Sequence, residues 1–190
     1  MTIPAAIRSA IGKYAADWNA AARPDIEFPT KRLRLLMPHR LYRYMGEDRD
    51  GQADLGSVKP AGWRCFIQTT RGGLLTLDTF ETETGFGFRL HAGNAPKRWL
   101  RVIHSARRQK RLRDALYSMR ALVAPAVHLS YLWFSAPGGK DQILAVEWHS
   151  DVLTARRWMT REEWDAATGG ATMKAASLWR TALAAERPQR

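Results

Sequence analysis

The stretch GWRCFIQTTRGGLLTLDTFETETGFGFRLH, residues 62–91, decides the class of fold. Apolar and aromatic residues alternate there with polar ones, and glycine-bearing breaks fall at Arg71-Gly72-Gly73 and at Gly85. A period of two is what a pleated strand imposes, and short breaks of this kind between strands are hairpin turns. The expectation is an antiparallel meander of three strands, WRCFIQTT, LLTLDTFETET and FGFRLHA. In the middle strand Asp78 shares a face with Leu74, Thr76 and Phe80, an uncomfortable place for a charge. Glu81 and Glu83 fall on the opposite face from Asp78 and are expected as exposed charges near the turn.

Outward from this core the period changes. GNAP, residues 93–96, opens a helix with Asn94 at the N-cap and Pro96 in the first turn. Its apolar set, Trp99, Val102, Ile103 and Ala106, is out of helical phase with Leu112, Leu116, Met119 and Val123, which predicts two consecutive helices broken within ARRQKR. At the start of the chain, Thr2 as N-cap, Pro4, and Ile3, Ile7, Ile11, Tyr14 and Trp18 on one stripe predict an N-terminal helix within residues 1–22. A short strand is expected near Leu33 to Met37, and the polar run MGEDRDGQADLGSVKPAG is expected to be a loop of a length that can bind a partner. Downstream, VHLSYLWFS and QILAVEWH flank the turn APGGKD as a second hairpin. Thr160 followed by Glu163 has capping-box spacing, Gly169-Gly170 stops that helix, and ATMKAASLWRTALAAE forms the last one, so helices fill 160–190. The order predicts a single α+β domain over 1–190, a mostly antiparallel or mixed sheet covered by helices at both ends of the chain.

With 190 residues, 45% hydrophobic content and eight Trp, the chain can bury a core, and disorder as its default state is excluded. The longest apolar runs fall short of the ~20 residues of a membrane span, and the first residues lack the charged start and apolar centre of a secretory signal. A cytoplasmic protein is expected. Cys65, the single cysteine, excludes an internal disulfide and a cysteine-based zinc cage, and its apolar surroundings predict core packing. The net charge is +12, and residues 97–120 hold nine basic side chains against one acid, Asp114. A polyanion is the natural partner of that segment, either DNA or an anionic membrane surface.

No phosphate-cradling GxxxxGK[ST], GxGxxG after a strand, HExxH or GxSxG is present, so chemistry has to rest on constellations. One is ILAVEWHSDV, residues 143–152. As a regular strand it would set Glu147, His149 and Asp151 on one face, where carboxylates can hold Mg²⁺ and a histidine can move a proton during phosphodiester hydrolysis. The alternative is the wet side of a half-buried strand. A second is HAGNAPKRWLR, residues 91–101, where a strand runs into a helix start and Gly93, Asn94, Lys97, Arg98 and Arg101 converge as a phosphate or nucleotide site flanked by His91 and His104. The third is SARRQKRLR, with Arg107, Arg108, Lys110, Arg111 and Arg113 as sequence-independent DNA contacts; its alternative is a solvated basic helix.

The segment LHAGNAPKRWLRVI, with Gly93 ahead of Lys97, Arg98 and Arg101, resembles the Gly-x-x-Arg-type phosphate-contacting box of the ParB/sulfiredoxin superfamily. It departs from that box by the extra residues and the proline between the glycine and the basic pair. In length and charge the whole chain resembles the oncogenic-suppression and fertility-inhibition proteins of conjugative plasmids. The resemblance implies a cytoplasmic factor that blocks transfer of competing conjugative DNA or T-DNA, acting near the coupling protein at the inner face of the inner membrane. It also implies DNase activity with associated ATP hydrolysis, so DNA, Mg²⁺ and ATP are the expected ligands. The rival readings are a non-enzymatic DNA-binding or protein-inhibiting module, and a peripheral protein held on anionic lipid.

Overall fold

The computed structural model describes residues 2–21, 26–29, 33–44, 55, 58–113, 117–124, 129–138, 141–147 and 158–166. Its helices are α1 (Ala5–Ala20), α2 (Ala95–Arg107) and the single turn α3 (Lys110–Arg113), with a further helical segment at 161–166. The strands are β1 (Leu35–Arg43), β2 (Lys59–Gln68), β3 (Leu74–Thr82), β4 (Gly85–His91), β5 (Ser118–Ala124), β6 (Leu129–Ser135), β7 (Gln142–Glu147) and β8 (Trp158–Met159). The chain is thus α+β, with a mixed sheet of eight strands hydrogen-bonded in the order β4-β3-β2-β1-β5-β6-β7-β8. It divides into two compact units, Met1–Leu41 with Pro60–Ala115, and Tyr42–Lys59 with Leu116–Arg190.

In the first unit the meander forms as its periodicity requires. Gln68 pairs with Leu74 across the Arg71-Gly72-Gly73 turn, and Thr82 pairs with Gly85 across the next. Gly62 (φ 152°) lies so close to β3 that a Cβ there would collide with the Thr79 carbonyl oxygen, which explains a glycine inside a strand. Alternation sends Trp63, Cys65, Ile67, Leu75 and Leu77 to one face, where Ile3, Ile7, Ile11 and Ala15 of α1 cover them. Helix α1 begins one residue after Pro4, which occupies the N-cap position, and no side chain caps it; Thr2 does not take that role. The proline's extended ψ keeps it outside the helix, and its carbonyl accepts the first helical bond from the Arg8 amide at 3.0 Å. Past the helix, Asn19 brackets Phe28, accepting from its amide at 3.0 Å and donating to its carbonyl at 2.9 Å.

Cys65 is fully buried, and its thiol points to the Leu77 carbonyl at 3.7 Å. Burial pushes the thiol up to about 12, and the charge of Asp78 acts in the same direction. It is core packing, as its neighbours in the sequence imply, since the thiolate is the reactive form. Native protein should therefore leave Cys65 unlabelled by a thiol reagent over minutes and release it in denaturant; prompt labelling of native protein would contradict this burial.

In the second unit β5, β6, β7 and β8 pair antiparallel in sequence order. Leu122, Tyr131, Ile143 and Ala145 form one buried face with Tyr44, Met159 and Trp164. Trp164 enters this core from the 161–166 segment and meets Tyr44 and Tyr131 edge to face, at 5.5 and 5.8 Å. The capping box is present: the Thr160 amide donates to Glu163 Oε2 at 3.0 Å, and the Glu163 amide to Thr160 Oγ1 at 3.3 Å.

Two further expectations change. The second helix through Leu112, Leu116, Met119 and Val123 does not form, because Ser118–Ala124 is strand β5 and α3 is one turn long. The strand carries apolar residues on both faces, Ala121 and Val123 on one and Leu122 and Ala124 on the other, so it lacks a period of two and a spacing of three and four can be picked out of it by chance. The short strand near Leu33 to Met37 is instead the nine-residue β1, continued beyond Pro38. Met37 has positive φ (47°), and this left-handed residue ahead of the proline interrupts the regular pleat without ending the strand. The Gly169-Gly170 stop and the last helix lie outside the described residues.

Candidate nucleic-acid interface

Helix α2 is two-sided. Pro96, Trp99, Val102, Ile103 and Ala106 are buried, while Lys97, Arg98, Arg101, His104, Arg107 and Arg108 are exposed. At 3.6 residues per turn Lys97, Arg101, His104 and Arg108 fall on one line along the helix, about 16 Å long. No acidic residue occurs between Ala95 and Lys110. Lys97 and Arg98 stand in the first turn, where the helix dipole disfavours cations, so their charge does not serve the helix itself.

The five residues expected as a phosphate or nucleotide site are local neighbours here. Gly93 (φ 74°) takes the left-handed conformation that turns β4 into α2, and Asn94, Lys97 and Arg98 follow it on the exposed side. Asn94 sits at the N-cap position in right-handed helical geometry, and its side chain makes no capping bond. Arg101 lies one turn on, with its Nε donating to the Lys97 carbonyl at 3.4 Å. Among the expected DNA contacts, Arg107, Arg108 and Lys110 are exposed, and Arg111 and Arg113 belong to α3.

Of the row Glu147, His149 and Asp151, Glu147 is the last residue of β7, and His149 and Asp151 lie outside the described residues. The strand is also no half-wet ribbon: Ile143, Leu144, Ala145 and Val146 are all buried. Its register shifts at the end, Tyr131 facing Ala145 and Ser130 facing Glu147, so Val146 is the extra residue of a bulge and the strict alternation is broken there. Among the described residues no group of three or more His, Cys, Asp or Glu side chains is placed to hold a metal ion.

Beneath α2 the structure places a polar cluster that periodicity alone does not disclose. Arg64 and Asp78 face each other across β2 and β3 and are both buried. Arg64 donates twice, Nε to Oδ1 and one terminal nitrogen to Oδ2, each at 2.6 Å. The half-exposed His91 places Nε2 3.3 Å from the same Oδ2. Trp99 of α2 closes the pair from above, with the guanidinium 4.4 Å from its ring centre. Burial alone would push the Asp78 carboxyl up, but the charge and hydrogen bonds of Arg64, helped by His91, outweigh it and hold the group well below the usual carboxylate range. A sequence signal for the pair exists: once the turn sets Gln68 opposite Leu74, counting outward puts Arg64 opposite Asp78. The cluster fixes Trp99, and through it the helix that carries the cations.

No helix among the described residues is long and apolar enough to cross a membrane. Comparison with protein-family models, curated proteins and solved structures gives no match to this chain.

Proposed function

We propose that this protein binds the phosphate backbone of DNA on the outer face of α2, without reading sequence, and that it restrains DNA transfer, as a fertility-inhibition factor does, by occupying the DNA. The observation that carries the reading is the exposed line Lys97, Arg101, His104 and Arg108, flanked by Arg98 and Arg107 and free of acids, on a helix whose other side is locked down by Trp99. A straight line of about 16 Å beside one DNA strand spans about three consecutive phosphates, which gives Lys97, Arg101 and Arg108 a partner each. The site requires neither a metal nor a nucleotide. Cleavage with Mg²⁺ at Glu147, His149 and Asp151, and the ATP hydrolysis that the resemblance implies, are further steps that binding does not need.

Fluorescence anisotropy with a labelled duplex across a salt series tests the reading. Changing Lys97, Arg101 and Arg108 together to Gln should weaken binding and reduce the slope of log affinity against log salt by about one for each phosphate left without its cation, so up to about 3. An unchanged slope would remove α2 as the interface. Running the same duplex on a gel with Mg²⁺ or EDTA separates the two modes of action: metal-dependent cutting would replace occupation by cleavage.

A further inference from the structure

In the second unit an arginine is held in place by aromatic rings and has no hydrogen-bond or ion-pair partner among the described residues. Arg120 stands on β5 directly opposite Trp133 of β6, on the face that continues into the buried Leu122 and Ala124. Its guanidinium carbon is 4.5 Å from the Trp133 ring centre and 5.1 Å from that of Tyr42. The two rings meet edge to face at 5.1 Å, so the cation occupies the angle between them. Arg120 is half-buried, and no hydrogen bond or ion pair reaches it from the described residues.

A guanidinium has five N–H donors, and in a half-buried setting these normally find acceptors. Contact with ring faces satisfies charge but no donor. The rings also restrict the long side chain, so the entropy that an arginine ordinarily loses on binding is largely spent before a ligand arrives. A planar, pre-placed set of donors fits a two-oxygen anion, and in a chain with net charge +12 the anion drawn to the surface is a polyanion. We infer that Arg120, framed by Tyr42 and Trp133, is a second nucleic-acid contact that takes a backbone phosphate. It goes beyond the reading of α2 and is independent of it, since it rests on other residues in the other unit.

The test observes the arginine Nε–H signals of protein labelled with ¹⁵N-arginine, that of Arg120 being identified by its loss in Arg120→Lys. Inorganic phosphate, a short oligothymidylate and polyglutamate are titrated separately. The Arg120 signal should shift with phosphate and with oligothymidylate. Arg120→Lys, which keeps the charge but loses the planar donors, should bind oligothymidylate about fivefold more weakly with the same salt slope. A signal that ignores oligothymidylate overturns the inference, and a response to polyglutamate alone reassigns the site to an acidic protein. Movement with free phosphate alone removes the nucleic acid from it. Should Arg120→Lys fold poorly, the signal can be identified with Arg120→Gln, and the titrations of the unaltered protein decide the matter. Failure here is distinct from failure at α2, whose Gln variants flatten the salt slope and leave the Arg120 response in place.

Discussion

Asp78→Ala should lower the unfolding free energy by about 3 to 5 kcal/mol, the cost of leaving a buried charge without its partner. Arg64 and Asp78 are 3% and 5% exposed, so solvent screens the pair little and offers the stranded guanidinium no shell of water. The carboxylate is the acceptor for both of the Arg64 bonds at 2.6 Å and for His91. Its loss takes both of these bonds from a cation that stays buried under Trp99. If the orphaned charge is the cause, the double variant Arg64→Met, Asp78→Leu should cost less than Asp78→Ala, since replacing a whole buried pair by apolar groups of similar volume is often close to neutral. Urea titration measures both. Equal losses would assign the effect to lost packing, and a loss under about 1 kcal/mol for Asp78→Ala would mean that the pair is hydrated.

How far the sequence discloses this architecture depends on whether a signal is local. The meander and the hairpin of β6 and β7 are visible because each strand is short, alternates or is apolar, and ends in a turn rich in glycine. The capping box at Thr160 and Glu163 is visible because it is a chemical device of four residues. Strand β5 escapes because its apolar residues fall on both faces, so seven residues show no period of two. In ILAVEWHSDV the burial of both faces from Ile143 to Val146 and the bulge at Val146 likewise escape periodicity, while His149 and Asp151, and with them the row of three charges, lie outside the described residues. Arg64 and Asp78 sit between these cases, since Asp78 stands out as a charge on an apolar face, Arg64 does not, and only the register of the first turn joins them. The basic face of α2 is evident as composition, and the structure adds which of its residues turn outward.

Acid should destabilise the protein in two stages, the first set by His39. This histidine is 1% exposed on β1, near Phe66 and Trp99 at ring distances of 6.2 and 6.4 Å. Its Nδ1 lies 2.7 Å from the Met37 carbonyl, which can only accept, so the proton is on Nδ1 and the buried Nε2 is the bare nitrogen, with no hydrogen-bond partner among the described residues. Burial, opposed by that bond and assisted by the charge of Arg64, lowers its pKa from 6.5 to about 4. A histidine whose folded value lies below its unfolded one binds a proton more readily when unfolded, so stability falls as the pH drops from about 6.5 to about 4. The full loss is about 3 kcal/mol, because each tenfold difference in proton affinity between the folded and unfolded chain is worth about 1.4 kcal/mol. Asp78 acts in a separate window. Its folded value lies below the ordinary 3.8, so the stability it contributes is complete above that pH and is lost only as the solution becomes more acid still. His39→Leu should abolish the first stage and keep the second. Urea midpoints at about pH 7, 5.5, 4.5, 3.5 and 2.5 would resolve the two, and a variant that retains the slope between pH 6.5 and about 4 would show that a group other than His39 carries it.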